Sequence, residues 1–428
     1  MVNEHVLQPP WPRPSEEKVA SSSHEAVAVA VDNAGLVFNR ENAGNGPIAA
    51  IMVVDFHHLR GPVVEWAHPS CLLESEAQAS EQVDTSDDVA FPTVIPWLTR
   101  GTARALTHLS FELPFLALPD GAHCESADET SCVFFVLPRA EGLLYGVSCH
   151  RRVACAELAH RDAAMFRTSV QKAVCVLSHC PFFGMIQQRL SPVTQAFFEQ
   201  KDFRRTDLLR DFHAQLDAVP FERFPESELF HGLGHAPLFL GLRFQLLSVL
   251  KAVLLEAKVM VYSTSAEACS RTVLCLLALL PGALWLSFNS DGLGGRHFHL
   301  KKHGLPFQCF GPHCCMYPYL GLHMIDRLLQ MRGYLVGTTN RMLLEKAAPD
   351  VVLEVPADVW AVGGRGDGCM LQHANAELWQ LVKCTQTDRV WLQEELQRLE
   401  AALPTVRAVT FPPGVPHSGC AQATGPAS

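Results

Sequence analysis

Short apolar runs bounded by turn residues dominate the first third of the chain, and apolar residues at helical spacing dominate the rest. Ile48 to Phe56 and Val63 to Trp66 are β-rich and join through His57 to Pro62, where Gly61-Pro62 marks a turn; together they predict an antiparallel hairpin. Cys132 to Pro138 and Leu143 to Cys149 flank Arg139-Ala140-Glu141-Gly142 and predict a second. With one helix around Val94 to Leu109, the first unit, residues 48–160, reads as a mostly antiparallel sheet.

After about Arg161 the pattern changes to strands alternating with long helices. SVQKAVCVLS, Ser169 to Ser178, reads as a strand; Phe182 to Gln200 reads as a helix in which Pro192 offers a place to break, and Thr206 to Val219 as another. From Leu240 to Glu256 apolar residues recur at Leu242, Leu246, Leu250, Val253 and Leu254, which predicts one helix. KVMVYS, Lys258 to Ser263, is a strand, and Thr264 with Glu267 forms a capping-box pattern opening a helix from Ser265 to Leu280. Alternation at this spacing predicts βαβ crossovers and a parallel sheet covered by helices, over residues 161–305. A third unit, residues 306–408, repeats strand, helix, strand and closes with a helix from Ala374 to Ala402. That helix carries Leu378, Leu381, Val382, Leu392, Leu396 and Leu399 near a period of 3.6 residues.

Residues 1–47 are rich in Pro, Ser, Ala and Gly and are expected to be a mobile extension, with Val27 to Val31 able to add an edge strand; residues 409–428 form a similar tail. At 428 residues the chain exceeds one typical core, and its 48% hydrophobic content supplies material for two or three packed units. The formal charge of −10 disfavours nucleic acid or an anionic membrane as a partner through the whole surface. The opening residues contain no apolar h-region, so a cytoplasmic location is expected, with the 15 cysteines mostly free thiols. Thr272 to Ser290 lacks charge, but Pro281-Gly282 interrupts it, so it reads as a buried helix followed by a strand.

The chemistry the sequence offers is sparse. A nucleotide-binding sheet would carry a glycine-rich turn after a strand, and KVMVYS runs instead into Thr264-Ser265; neither GxxxxGK[ST] nor GxGxxG occurs, and Asp291 to His299, though glycine-rich, does not match their spacing. Gly146-Val147-Ser148 continues into Cys149-His150, not the x-Gly of a nucleophile elbow. His57 and His58 would point to opposite faces of a strand. Cys309, His313, Cys314 and Cys315 lack the two separated pairs of a zinc site. Glu74 to Asp88 is an acidic solvated loop, and Arg365-Gly366-Asp367 a flexible one. Asp120 and His123 have no third residue to orient them, and Leu118-Pro119-Asp120-Gly121 fits a type I turn. Neither catalytic residues nor a cofactor nor a metal are therefore expected.

Eight segments carry a resemblance: LPFLALPDGAH with CVFFVLP and YGVSCHRR, then SVQKAVCVLSHCPFFGMI, FFEQKDF, LLEAKVMVYS, YPYLGLHMID and RGYLVGTTN. In this order, over Ile48 to Val355 and the final helix, the chain resembles the Avl-nine branch of the DENN-domain superfamily, the late secretory pathway proteins. The resemblance implies a mixed α/β tripartite module: a longin-like antiparallel unit, a doubly wound α/β central unit and a smaller downstream mixed or helical unit. It implies a Rab-type small GTPase as partner, with peripheral association to post-Golgi or endosomal membranes through that partner. The expected activity is nucleotide exchange, with a non-enzymatic trafficking adaptor as the alternative. Leu118, Pro119, Asp120 and Gly121, and Gly333, Gly337 and Asn340, are the signature positions, expected to be structural: a turn in the first set, a strand glycine and helix start in the second. The N-terminal extension, the acidic insert and TRGTARALTH before the LALPDGAH segment depart from the family pattern. Neither spacing nor motif fixes the partner-facing residues.

Overall fold

The computed structural model describes residues 47–57, 61–69, 112–120, 130–139, 142–160, 168–221, 224, 226–280, 313–360 and 368–410. The expectations placed on Val27 to Val31, Glu74 to Asp88, Val94 to Leu109, Pro281-Gly282, Asp291 to His299 and Arg365 to Asp367 lie outside those residues.

The first sheet is built from β1 (Ile48–His57), β2 (Gly61–His68), β3 (Ser131–Arg139), β4 (Gly142–Ala154) and β5 (Ser169–Ser178). Their order is β2-β1-β5-β4-β3, antiparallel throughout. Both predicted hairpins are present as β1–β2 and β3–β4. β5 corrects the sequence reading. Assigned there to the α/β unit, it lies in the middle of the first sheet, with Cys175 opposite Met52 on one side and Ser148 on the other. Its run from Ala173 to Ser178 is buried on both faces, and a continuous apolar run marks an inner strand without saying of which sheet.

A short helix over residues 112–117, α1, precedes β3. After β5 come α2 (Phe183–Glu199) and α3 (Asp207–Asp217), which lie against β4 and β5 and against β1 respectively. Phe183 of α2 meets Phe134 and Tyr145 edge-on at 5.7 and 5.8 Å, the favoured geometry for aromatic pairs. On the opposite face the Phe135 ring fills the space over Gly146, where an added Cβ would come within 2.2 Å of it. Of the two readings that Pro192 left open, the unbroken helix is the one present. Pro192 is exposed inside α2, which continues through it although the proline offers no N–H to the Gln188 carbonyl.

The second sheet has the order β10-β9-β6-β8-β7. β6 (Lys258–Tyr262), β7 (Cys314–Tyr317), β8 (Gly333–Thr338) and β9 (Val351–Glu354) run parallel, and β10 (Met370–His373) closes one edge antiparallel. The sequence cut at residues 305 and 306 therefore runs through one sheet, since β6 pairs directly with β8 and β9. The class is mixed α/β.

Three helix boundaries also differ from the periodicity. The Leu240 to Glu256 segment forms two helices, α4 (His235–Leu242) and α5 (Gln245–Leu254), bent by 104° at Arg243, where φ is 47°. Leu242 and Leu246 are both buried across the corner, so the apolar spacing continues while the backbone turns; Leu254 is exposed. α6 (Ala266–Ala278) is capped by Ser265, which accepts from the Ala268 N–H, and not by Thr264. After α7 (Ile325–Leu329) and α8 (Arg341–Ala347), the closing helix is split into α9 (Ala376–Val382) and α10 (Gln386–Thr410). Val382 and Leu392 are buried, but Leu381 projects into solvent.

Candidate functional site

Among the described residues, side-chain hydrogen bonds join the two sheets at two places, each built by residues far apart in sequence. The first is the open edge of β3. As the last strand of its sheet, β3 turns the N–H groups of Cys132 and Phe134 away from β4. Glu267 Oε2 accepts from Cys132 at 3.0 Å and Ser270 Oγ from Phe134 at 3.3 Å. Both acceptors belong to α6, so a helix from the second unit satisfies groups that would otherwise offer a template for another strand. The capping-box expectation gave Glu267 a local role. Its carboxylate instead spans the joint, accepting from Gln187 of α2 at 3.2 Å and pairing with Arg271. Arg271 lies over the rings of Trp360 and Phe134, at 5.3 and 6.0 Å, and donates to Gln187 at 3.0 Å. Trp360 is itself held by donation to the Gly234 carbonyl at 2.7 Å.

The second place is the corner after α1. Leu118 and Pro119 are buried, and Ser148 Oγ donates to the Ala117 carbonyl at 2.7 Å, fixing the corner on the first sheet. Asp120 then reaches the second sheet with all its polar groups. Its N–H donates to Tyr319 Oη at 3.1 Å, its carbonyl accepts from Thr339 Oγ1 at 2.8 Å, and its carboxylate accepts from Asn340 Nδ2 at 3.2 Å. Asn340 uses its other side-chain atom as the cap of α8, accepting from the Met342 N–H at 3.0 Å. Tyr319 is fully buried, and burial first, then the Asp120 charge, pushes its phenol far above the ordinary range, so it stays a neutral hydroxyl that also meets Thr339 Oγ1 at 3.2 Å. Beside this corner Arg327 of α7 holds Glu112 of α1 through two contacts, 2.6 and 3.3 Å.

Of the signature positions, Leu118, Pro119, Asp120 and Asn340 converge on this corner. Gly337 lies in β8 just before it: a Cβ there would stand 2.2 Å from the Pro318 carbonyl and 3.0 Å from that of Cys269. Gly333 sits at the opposite end of β8, where a Cβ would stand 1.9 Å from the Glu256 carbonyl. Gly121 and His123 lie outside the described residues. Sequence reasoning missed Tyr319, Thr339, Glu267 and Ser270 as joint residues. Their contacts span 135 to 219 positions, and no spacing signals a pairing of that kind.

Thr339 and Asn340 directly follow β8, at the carboxyl end of a parallel strand. Open α/β sheets receive ligands outside that end. Here the first unit's own corner binds there, and Arg341 next to it donates to Tyr262 Oη at 3.2 Å at the end of β6. Asp120 and Arg341 are exposed at the corner, as is Met342, at 47%, on α8; Leu329, 53% exposed, lies on the adjoining helix α7. Exposed apolar side chains on helices that also carry charge are the mix of residues found at protein interfaces.

Several other ionisable groups lie away from both joints. Lys172, almost fully buried, pairs with Asp55 and Glu65 at 3.0 and 2.5 Å. Burial pushes the Cys275 and Cys315 thiols up to about 12, and burial with the Glu256 charge raises Cys314 to about 11, so thiolate is scarce at these positions near neutrality. Among the described residues no three His, Cys, Asp or Glu side chains stand where they would hold a metal ion. His313 stands beside Cys314 and Cys315 of β7, whereas Cys309 and His58 lie outside the described residues.

The sequence profile of the Avl9 transport-protein family matches residues 48–292 and 287–407. A late secretory pathway protein avl9 from Schizosaccharomyces pombe is 28% identical over 388 residues, covering 85% of this chain and 72% of that protein. Late secretory pathway protein AVL9 from Saccharomyces cerevisiae is 28% identical over 345 residues, 70% of this chain and 41% of that longer one. This chain therefore spans less than half of the second relative.

Proposed function

This chain belongs to the Avl9 transport-protein family, and on that premise we propose that it acts in late secretory traffic by binding a Rab-type small GTPase and promoting its nucleotide exchange. The family match carries the proposal: it runs through both sheets, and the relatives bear the name of late secretory pathway proteins. The first sheet with α2 and α3 corresponds in this reading to the longin-like part of a DENN module, and the second sheet with its helices to the central and downstream parts.

Such a protein works without a reactive side chain. It binds the nucleotide-free GTPase most tightly, and by linkage weakens nucleotide binding by the same factor. Moving the switch loops is the structural route. A thousandfold faster release takes about 4 kcal/mol of differential stabilisation, at about 1.4 kcal/mol per decade. Interfaces of about 1,600 Å² supply that. The solvent side of the corner offers a preformed starting point, because residues from both units are locked there by Asp120, Thr339 and Asn340. Among the described residues no single helix is long and apolar enough to cross a bilayer. Membrane association in this reading is peripheral, on the cytoplasmic side of post-Golgi or endosomal membranes, and follows the GTPase.

The test is release of fluorescent GDP from a full panel of purified Rab-type GTPases. Acceleration of at least one supports exchange. Binding of a GTP-loaded member without acceleration replaces exchange by the adaptor role, and a panel with neither effect refutes the proposal.

A further inference from the structure

We infer that Cys132 and Cys149 form a redox-sensitive cross-strand dithiol, which closes to a disulfide in the folded protein when a peroxide reaches it. The two residues lie directly opposite in the β3–β4 ladder. Opposite residues of an antiparallel pair alternate between those that exchange backbone hydrogen bonds and those that do not, and the latter bring their Cα atoms to about 4.5 Å. Cys132 is of the second kind, because its N–H points away from β4 to Glu267 at 3.0 Å. Phe134, two residues on, repeats that direction toward Ser270. The separation falls within the roughly 4.4–6.8 Å that a disulfide spans. Cys132 is close enough to Cys149 to contribute, after burial, to holding the Cys149 thiol above its ordinary range. Cys175, the nearest cysteine of β5, is opposite Ser148 and so points to the other face of the sheet.

Both thiols are buried, at 1% and 0% exposure, so the oxidant enters when α6 lifts from the β3 edge. Cys132, on the edge strand, is reached before Cys149, which lies between β3 and β5. The Cys132 sulfur attacks one oxygen of hydrogen peroxide. The O–O bond breaks, Cys132 becomes a sulfenic acid, and the other oxygen leaves as water with the thiol proton. The Cys149 sulfur then attacks the sulfenic sulfur; the S–O bond breaks and the hydroxyl leaves as a second water with the Cys149 proton. Two thiols and one peroxide become one disulfide and two waters. Burial holds the Cys149 thiol well above its ordinary range, so closure is slow near neutrality and quickens as pH rises. The bond forms where the second unit grips the first, which makes the pair a sensor of how tightly that edge is closed.

The experiment treats the full chain with hydrogen peroxide, removes the peroxide with catalase, denatures in the presence of an alkylating reagent so that buried thiols are blocked as they are exposed, and maps peptides. The expected result is a linked Cys132–Cys149 peptide that dithiothreitol reverses. It should form severalfold faster in Glu267→Ala, which frees the β3 edge, and be absent in Cys132→Ser, whose folding is checked by circular dichroism. Recovery of both cysteines as alkylated thiols in the wild-type chain, or linkage only after denaturation in urea, overturns the inference.

Discussion

Replacing Asn340 by aspartate changes one group at the joint and leaves its shape intact. The aspartate keeps the oxygen that caps α8, a position where Asp serves as well as Asn. What changes is the face toward Asp120, where an amide donor 3.2 Å from a carboxylate oxygen becomes a second carboxylate. Two unit charges at that 3.2 Å distance repel by about 1.3 kcal/mol in a medium of water's dielectric. Because Asp120 is exposed, the water-like value is the appropriate one. Loss of the hydrogen bond adds about 1 kcal/mol. The sum, about 2 kcal/mol, lowers Tm by roughly 2–4 °C in a body of this size. Thermal unfolding followed by circular dichroism measures it. Three results are expected together: N340D melts lower, D120N/N340D recovers most of the loss by restoring a carboxylate–amide pair in reverse, and 1 M salt, with a screening length of about 3 Å, shrinks the N340D effect. If N340D melts with the wild-type chain, or if the two substitutions merely add, the corner does not join the units as described.

Gly337→Ala should cost about 1–3 kcal/mol, at the upper end because both obstructing atoms are backbone carbonyls at 2.2 and 3.0 Å; urea titration of the variant against Gly61→Ala, where no atom lies within 4 Å and only the positive φ opposes a side chain, separates crowding from strain. Lys172→Met leaves two carboxylates facing each other and should cost about 2 kcal/mol, less than a fully buried pair because Asp55 and Glu65 are 19% and 47% exposed. K172M/D55N/E65Q should regain most of that loss in the same titration. Asp388, held down to about 2 by hydrogen bonds from Lys251 and Thr385, is a depressed carboxylate, so its contribution is present above the unfolded value near 3.8 and is lost as pH falls toward 2. Fluorescence of Trp391, three residues along α10, should therefore change between about pH 4 and pH 2 in the wild-type chain and not in Asp388→Asn, whose contact with α5 is already weakened.

Local order was legible in the sequence for the elements whose apolar runs end at turn residues. The β1–β2 and β3–β4 hairpins follow from apolar runs around turn residues, and β6 and β8 from short β-rich segments. Partnership was not. SVQKAVCVLS is buried on both faces in either sheet, so its composition cannot say that its neighbours are β1 and β4. The bend at Arg243 was hidden because Leu242 and Leu246 keep helical spacing across it while both reach the core. The four-residue β10, with three of its four side chains exposed, carries too little apolar signal to be read as a strand. At the joint, the two signature segments were visible as motifs, but their meeting depends on Tyr319 and Thr339 touching Asp120 about 200 positions away, a fact that only the fold creates.

The central claim is that this chain acts by presenting a preshaped surface to a GTPase and favouring its nucleotide-free form. Its most direct measurement is the affinity of the full chain for one responsive Rab-type GTPase in nucleotide-free, GDP-bound and GTP-bound states, by interferometry on immobilised protein. If the chain promotes exchange as proposed, the nucleotide-free form binds most tightly, by the same factor by which the chain weakens GDP binding. Equal affinity for all three states contradicts it, since a partner that binds every state alike cannot shift the equilibrium among them.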